Sequence, residues 1–156
     1  MKTHYTGEDA LKIGIQVEID ARNAYLHGVK TVDDSGSKAI LQSLAEEEGQ
    51  HRKHLEGLYR ETFGKRLLNV NLHRYYKARR IIEEDLNPLR VLEFAMREER
   101  EHYRFFEGLL ACNTDPDGRK MFQRLMAEEE QHLELLKTEY QIRKKERQIG
   151  RASCRE

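Results

Sequence analysis

Three short segments of the sequence pair a glutamate with a histidine three positions later. They are Glu48-Gly49-Gln50-His51, Glu99-Arg100-Glu101-His102 and Glu129-Glu130-Gln131-His132. On an α-helix, residues i and i+3 lie on one face about 5–6 Å apart, so both side chains can reach one metal ion. A single motif of this kind means little in a chain rich in glutamate. Three of them, with a fourth glutamate at position 18, indicate a site for metal ions.

These four glutamates interrupt stripes of apolar residues at helical spacing. The stripes contain Leu11, Ile15, Ala21 and Tyr25; Leu41, Leu44, Ala45, Leu55, Leu58 and Tyr59; Leu92, Ala95, Phe106 and Leu109; and Phe122, Leu125, Met126, Leu133, Leu136 and Tyr140. Each stripe would face the core of a bundle and carry a carboxylate into it. Burying an uncompensated ion costs several kcal/mol, and no lysine or arginine shares the stripes. Two divalent ions would balance four carboxylates, and the histidines would add neutral ligands.

An internal repeat supports this interpretation. Glu18 and Glu48 are 30 residues apart, as are Glu99 and Glu129, and the two pairs are offset by 81 residues. At that offset, residues 41–60 match residues 122–141 at eight of twenty positions. The sequence therefore predicts two copies of one helical hairpin. The midpoints of the two pairs fall at residues 33 and 114, in turn sequences, which places paired carboxylates at equal heights on antiparallel helices.

Four helices must position these residues. We expect them over 8–27, ending at Gly28; over 38–63, ending at Gly64; over 88–112; and over 116–148. The two later helices begin with an Asn or Asp capping residue followed by proline, and the two earlier ones end at glycine. Residues 31–37 form a polar loop. No strand-like alternation occurs, so the predicted fold class is all-α.

Residues 65–86 connect the second helix to the third, and their middle, 72–85, is predicted to be helical and basic. This connector is too long for a tight turn, and a helix of about 14 residues spans about 21 Å. We therefore expect a four-helix bundle of two antiparallel hairpins joined by a long, partly helical crossover. Residues 1–148 form this single domain, and residues 149–156 are expected to be a charged, disordered tail.

The composition narrows the classes of function. The 156 residues include 28 basic and 28 acidic ones, and this zero net charge disfavours nucleic-acid binding. No window has the roughly 18 apolar residues of a membrane span, and the first residues lack the apolar core of a signal peptide. We expect a cytoplasmic protein with no nucleic-acid or membrane partner. Cys112 and Cys154 form no C-x-x-C pair, so we expect reduced thiols and no rubredoxin-type centre.

With these motifs in place, the sequence resembles the ferritin-like di-metal carboxylate proteins, most closely the rubrerythrins, over about residues 8–142. The residues that carry the resemblance are Glu18 with Ala21 and Tyr25 downstream, Glu48 with His51, Glu99 ahead of Phe105-Phe106, and Glu129 with His132. Ferritin-like proteins place single glutamates on two helices and Glu-x-x-His motifs on the other two. The resemblance implies a ferritin-like bundle that holds two iron ions.

The resemblance also assigns the ligands. Glu48 and Glu129 would bridge the two irons. The remaining ligands would be Glu18 and His51 on one iron, and Glu99 and His132 on the other. Rubrerythrins carry a further carboxylate three residues after the glutamate of the third helix, and this sequence has His102 there. We include His102 among the predicted ligands. With this histidine in place of the carboxylate, one iron would have more nitrogen ligands, and the resemblance no longer implies a redox-linked shift of a carboxylate at that position.

The same resemblance implies a di-iron oxidoreductase that reduces hydrogen peroxide, or oxidises Fe(II) with oxygen or peroxide. No rubredoxin domain occurs in the sequence, so an external electron donor is implied. Manganese and zinc are alternative metals, although zinc would be inert to redox. The alternative function is iron storage or transfer with ferroxidase activity, inside a larger shell. A third hypothesis, a di-iron hydroxylase that acts on an organic substrate, has the least support, since nothing in the sequence indicates a substrate pocket. We expect a homodimer, and the sequence leaves open whether the connector runs within or between chains.

Three further residues have open roles. Tyr25 either hydrogen-bonds a bridging carboxylate or packs in the core. His54 lies one turn after His51, and we expect it to be exposed. Glu98 is expected to lie on the solvated face with several neighbouring glutamates.

Overall fold

The structure is a computed structural model that describes residues 3–64, 67 and 87–154. Its helices are α1 (Gly7–Thr31), α2 (Ser35–Phe63), α3 (Pro88–Cys112) and α4 (Pro116–Ser153). Over these ranges there is no strand, only an isolated bridge between Thr3 and Asn113. The all-α class is confirmed. In the same ranges, no helix has an apolar stretch long enough to cross a membrane.

Local signals in the sequence determine where the helices begin. The side chain of each N-cap residue accepts a hydrogen bond from the backbone N–H three positions later; these residues are Thr6, Asp34, Asn87 and Asp115. Pro88 and Pro116 occupy the first turns of α3 and α4, as predicted. The predicted end of α2 is also confirmed, because Gly64 adopts a φ of 62° in the left-handed region.

The first loop is shorter than the sequence indicates. The prediction that α1 ends at Gly28 is wrong: among the described residues only Gly64 has a positive φ, and Gly28 accepts a hydrogen bond from the N–H of Val32 at 3.0 Å. Likewise α2 begins at Ser35 and not at residue 38, because Asp34 caps the N–H of Ser37 at 2.7 Å. The loop is therefore residues 32–34, close to the midpoint predicted by the repeat.

The last helix extends beyond its expected end at residue 148 and continues to Ser153. Residues 149–153, expected to be disordered, are therefore helical. Lysine, arginine, glutamate and glutamine, which dominate this part of α4, all have high helix propensity. An ion pair between Arg143 and Glu139 at 2.6 Å links successive turns. Residues 144–154 are exposed throughout, so propensity and not packing accounts for this extension.

The helices form two hairpins, α1 with α2 and α3 with α4, and α1 also packs on α4 while α2 packs on α3. Buried apolar side chains form two clusters at different heights. The first includes Tyr25, Leu41, Leu92 and Leu136. The second includes Leu11, Leu55, Phe106 and Phe122. The first halves of α2 and α3 share one cluster and their second halves share the other, so these two helices run parallel.

Because α2 and α3 are parallel, α2 ends and α3 begins at opposite ends of the bundle. Gly64 ends α2 at one end of the bundle, and Asn87 caps α3 at the other. The directions of the four helices thus agree with the predicted lengthwise crossover. The predicted helical and basic segment at 72–85 lies outside the described residues.

The segment that precedes α1 is attached to the loop between α3 and α4. Thr3 forms backbone hydrogen bonds on both sides of Asn113, of 2.9 and 3.1 Å. The Asn113 side chain accepts from the N–H of Tyr5 at 2.7 Å and donates to its carbonyl at 2.8 Å. That carbonyl approaches Gly118 so closely that a Cβ at position 118 would overlap it. Residues 3–5 therefore pack against the loop between α3 and α4 and the first turn of α4.

Candidate metal centre

The bundle brings the seven predicted ligands together between its two apolar clusters. Each helix supplies one carboxylate from its buried face: Glu18 from α1, Glu48 from α2, Glu99 from α3 and Glu129 from α4. Their exposed fractions are only 2–4%. The predicted burial of four carboxylates is therefore confirmed, and it requires compensation by cations or protons.

The potential ligand atoms fall into two groups, within each of which all atoms lie within 4.8 Å of one another. One group is Glu18, Glu48, His51 and His132, and the other is Glu99, His102 and Glu129. Together the groups contain every residue that the sequence analysis predicts as a ligand. Their ligation of metal stays a prediction, but the arrangement it requires is present.

On the α1–α2 side, His51 joins the two carboxylates. Its Nδ1 lies 3.0 Å from Oε2 of Glu48 and 3.8 Å from Oε2 of Glu18. The contact with Glu48 follows from the i, i+3 spacing on α2, whereas the contact with Glu18 crosses from one helix to the other. His51 is the most open of the site's histidines, with 28% of its side chain exposed.

On the α3–α4 side, two histidines face the carboxylates. Nδ1 of His132 lies 3.3 Å from Oε2 of Glu99 and 3.6 Å from Oε2 of Glu129. Nδ1 of His102 lies 3.6 Å from the same oxygen of Glu129. His132 is close to both groups, but its ion-pair contacts are with Glu99 and Glu129. This agrees with the pairing of His132 with Glu99 that the family resemblance implies.

The four carboxylates form two pairs, and the pKa values of the two members of each pair are shifted in opposite directions. Burial, followed by a hydrogen bond with Glu48, raises the pKa of Glu18 well above its usual value. Burial would also raise the pKa of Glu48, but hydrogen bonds from Glu18 and His51 hold it below the usual value. Without a metal, the pair therefore shares one proton, because two adjacent buried carboxylates cannot both ionise at low cost.

The second pair behaves in the same way. Burial and the charge of Glu129 raise the pKa of Glu99 well above its usual value. Burial would raise the pKa of Glu129, but the adjacent imidazoles of His102 and His132 outweigh it and lower that pKa. Burial would lower the pKa of His102, but the adjacent carboxylate of Glu129 and further carboxylate charges outweigh this and raise it.

Divalent metal ions fit this set of donors. Oε2 of Glu99 and Nδ1 of His132 are both buried, 3.3 Å apart, and neither completes a hydrogen bond within the described ranges. In the same part of the chain, the ion-pair partners of the four carboxylates are all histidines. The site thus combines four buried carboxylates, which can all ionise only beside cations, with buried donor atoms that lack hydrogen bonds, and two divalent ions would satisfy both requirements.

One neighbouring residue departs from its prediction. Glu98, expected on the solvated face, is only 4% exposed, so that prediction is wrong. Its charge acts on His102, whose pKa it helps to raise. The spacing from Val91 through Ala95 and Glu98 to His102 alternates four and three residues, which is the signal that could have identified this buried position.

The other two open positions lie outside the ligand groups. His54 is exposed, with 60% of its side chain in solvent and its Nε2 3.4 Å from Arg124, as expected. Tyr25 is buried and packs edge-on against Phe94 with ring centroids 6.4 Å apart. It therefore contributes to the core, and its contact with a bridging carboxylate stays a prediction.

Comparisons with known proteins identify the family. The family model for rubrerythrin matches residues 9–140. No curated protein matches the chain. Among solved structures, a hypothetical protein from Pyrococcus furiosus is 24% identical with a TM-score of 0.56, and the match covers 88% of this chain and 90% of that one.

Two further structures share the fold. A two-domain protein from Anabaena variabilis, with DJ-1/ThiJ/PfpI-like and ferritin-like domains, is 16% identical with a TM-score of 0.54; the match covers 89% of this chain and 37% of that one. CopM in its Cu(II)-bound form is 10% identical with a TM-score of 0.52, and the match covers 89% of this chain and 98% of that one. At these identities, the similarity shows a ferritin-like fold alone. Because the family match extends through all four helices and includes every predicted ligand, the chain belongs to the rubrerythrin family of ferritin-like di-iron proteins.

Proposed function

We propose that the protein is a di-iron oxidoreductase that reduces hydrogen peroxide with electrons from an external donor. The observation that carries the proposal is the burial of four carboxylates beside three imidazoles in two adjacent groups. Two iron ions bound there would supply the two electrons that convert one peroxide and two protons into two waters. The family, whose members are generally oxidoreductases, supports this class of reaction.

The proposed ligands divide between the two ions according to the contacts across the helices. Glu48 and Glu129 would bridge the ions. Glu18 and His51 would complete one ion, Glu99 and His132 would complete the other, and His102 would be a further ligand. The distances of 3.8 Å from His51 to Glu18 and 3.3 Å from His132 to Glu99 support this division.

The surroundings of the site favour a small oxidant over an organic substrate. Its carboxylates are nearly fully buried, and His51 is the site's most exposed histidine. A molecule of the size of peroxide would approach past this ring, on the side where protons from solvent are also available. Two surface cavities, of about 490 and 660 Å³, lie elsewhere, and none of the seven proposed ligands lines either of them.

Peroxide turnover tests the proposal. The protein is loaded with Fe(II) without oxygen, freed of excess metal, and given hydrogen peroxide with a reduced dye as electron donor. We expect many dye molecules to be oxidised per chain, and elution as a homodimer near twice 18.5 kDa. A protein that consumes excess Fe(II), deposits mineral and elutes as a large hollow assembly would instead be an iron-storage protein, which would contradict the proposal.

A further inference from the structure

A cavity of about 490 Å³ lies between α2 and α4. Sites for small molecules typically have volumes of about 300–1,000 Å³ and mostly apolar walls. The apolar side chains that line this cavity are those of Ile40, Leu44, Leu92, Leu135 and Leu136. Leu92 is 1% exposed and Leu135 is 68% exposed, so the cavity extends from the core of the bundle to its surface. It therefore fits a small molecule with an apolar body.

The cavity begins one helical turn from the most exposed edge of the metal centre. The rings of His51 and His132 stack on each other between α2 and α4. Glu47, four residues before His51, and Leu135, three residues after His132, both line the cavity. Because α2 and α4 run in opposite directions, these two residues lie on the same side of the stacked rings. A molecule in the cavity would therefore lie next to the two imidazoles, although none of the proposed ligands lines it.

The charged groups of the cavity favour a neutral molecule that donates hydrogen bonds. Among the lining residues, Arg143 is paired with Glu139 at 2.6 Å, which balances its charge. Glu47 is exposed, and within residues 3–64 and 87–154 it takes part in no ion pair. A carboxylate only accepts hydrogen bonds, and it binds an O–H group more strongly than a neutral acceptor does. Glu47 would therefore bind a hydroxyl group and repel an anion.

We propose, on the basis of the proposed function, that this cavity binds a hydroquinone, which is the external electron donor. The aromatic ring lies between the apolar side chains, and a phenolic O–H donates to Glu47. A hydroquinone loses two electrons and two protons and becomes a quinone. The electrons pass through the stacked imidazoles of His51 and His132 to the centre, and the protons pass to solvent, which returns two protons to the peroxide. One hydroquinone and one hydrogen peroxide thus give one quinone and two waters.

Binding is tested apart from turnover, on the full chain loaded with Zn(II), which has no redox chemistry. Trimethylhydroquinone is titrated under argon. Calorimetry measures its affinity, and NMR of the methyl groups locates it. We expect one binding site per chain, with shifted methyl signals from Leu44, Leu92 and Leu135. No binding, or shifts confined to methyl groups outside the cavity, would overturn the proposal.

Variants of the cavity lining sharpen this test. Ser43→Phe places a large ring in the cavity and should abolish binding, whereas Gln42→Phe, at an exposed position outside the lining, should bind as the wild type does. Glu47→Gln should weaken binding about tenfold, because it replaces a charged acceptor by a neutral one. Its matched control is Glu46→Gln, at an exposed position that does not line the cavity. Equal affinities of the wild type, Ser43→Phe and Glu47→Gln would contradict the assigned site.

Turnover of the iron-loaded protein separates this proposal from the proposed function. Trimethylhydroquinone should support peroxide reduction by the wild type and by Gln42→Phe, and at least about tenfold more slowly by Ser43→Phe. If a reduced dye or an electron-transfer protein supports turnover and trimethylhydroquinone does not, the cavity proposal is wrong although the proposed function stands. If trimethylhydroquinone binds in the cavity but no donor supports peroxide reduction, the proposed function fails, and with it the role of the hydroquinone as donor.

Discussion

The imidazole rings of His51 and His132 stack in parallel, with centroids 3.7 Å apart and planes inclined by 7°. These two residues are equivalent in the internal repeat, since they are separated by 81 positions. Their contact brings equivalent positions of the two hairpins together at the site. His51 also contacts Glu48 of its own hairpin at 3.0 Å, and His132 contacts Glu99 of its own hairpin at 3.3 Å.

The proposed bridging carboxylates give the most direct prediction. After reconstitution with Fe(II) and removal of excess metal, the wild type should contain about two transition-metal ions per chain. The double variant Glu48→Ala plus Glu129→Ala should contain almost none, because each ion loses both bridging ligands and half of the negative charge that balances it. Elemental analysis by mass spectrometry measures the metal content of the wild type and of the double variant.

A matched control separates this effect from a general loss of acidic residues. Glu46 and Glu130 are exposed glutamates on the same two helices, within two residues of the bridging pair. The double variant Glu46→Ala plus Glu130→Ala should keep both ions. A wild type that folds yet stays metal-free after reconstitution would contradict the site.

Much of the fold could be predicted because its determinants are local in the sequence. Asn87 and Asp115 accept a backbone hydrogen bond three residues ahead, and the prolines that follow them suit a first turn, so the starts of α3 and α4 are predicted correctly. The burial of Glu18 and its three counterparts could be predicted because the apolar stripes and the repeat indicate the same face independently.

Two of the failed predictions concern positions that are buried in the folded chain. Gly28 can end a helix, yet it remains helical in the first hairpin, where its carbonyl accepts from Val32. Glu98 belongs to a run of charged residues and looks exposed, but α3 is buried over a face wide enough to include both Glu98 and Glu99. Neither the width of a buried face nor the choice between two helix ends is determined by local propensity.

The close approach of Gly118 to Tyr5 predicts an intolerant position. The substitution Gly118→Ala would force a Cβ into the Tyr5 carbonyl and close to the Asn113 side chain. Because a backbone group cannot move aside as a side chain does, we expect a loss of at least about 2 kcal/mol in the free energy of unfolding. Urea unfolding followed by circular dichroism measures this loss.

Gly57 provides the matched control, since it lies within α2 and a Cβ there would meet no atom within 4 Å. The substitution Gly57→Ala should stabilise the protein by about 0.5–1 kcal/mol, because alanine loses less conformational entropy in a helix. Equal effects of Gly57→Ala and Gly118→Ala would show that the contact with Tyr5 is not what constrains position 118.

The exposed end of α4 predicts tolerance to truncation. Residues 144–154 are exposed throughout, so removal of the chain from residue 149 onward should change the free energy of unfolding by less than about 0.5 kcal/mol. Removal from residue 135 onward should destabilise the bundle strongly, because it deletes the buried Leu136 and the hydrogen bond from Tyr140 to Glu93. Thermal melts of the two truncated proteins distinguish these cases. A large loss from the shorter truncation would mean that the extension is part of the folded domain.

The cap of α2 predicts a dependence of stability on pH. The backbone N–H of Ser37 donates to Asp34 and holds the pKa of that carboxyl below its usual value. A carboxyl with a lowered pKa in the folded state stabilises the protein above its unfolded pKa of about 3.9, and this contribution is lost as the pH falls through the folded value. Asp34→Ala should therefore lower the melting temperature at neutral pH, with a difference from the wild type that shrinks below about pH 4. Asp34→Asn keeps an uncharged cap and should show a smaller loss at neutral pH than Asp34→Ala. The melting temperatures of Asp34→Ala and the wild type are compared at neutral pH and below about pH 4. If they differ equally at both, the charge of Asp34 does not stabilise the start of α2.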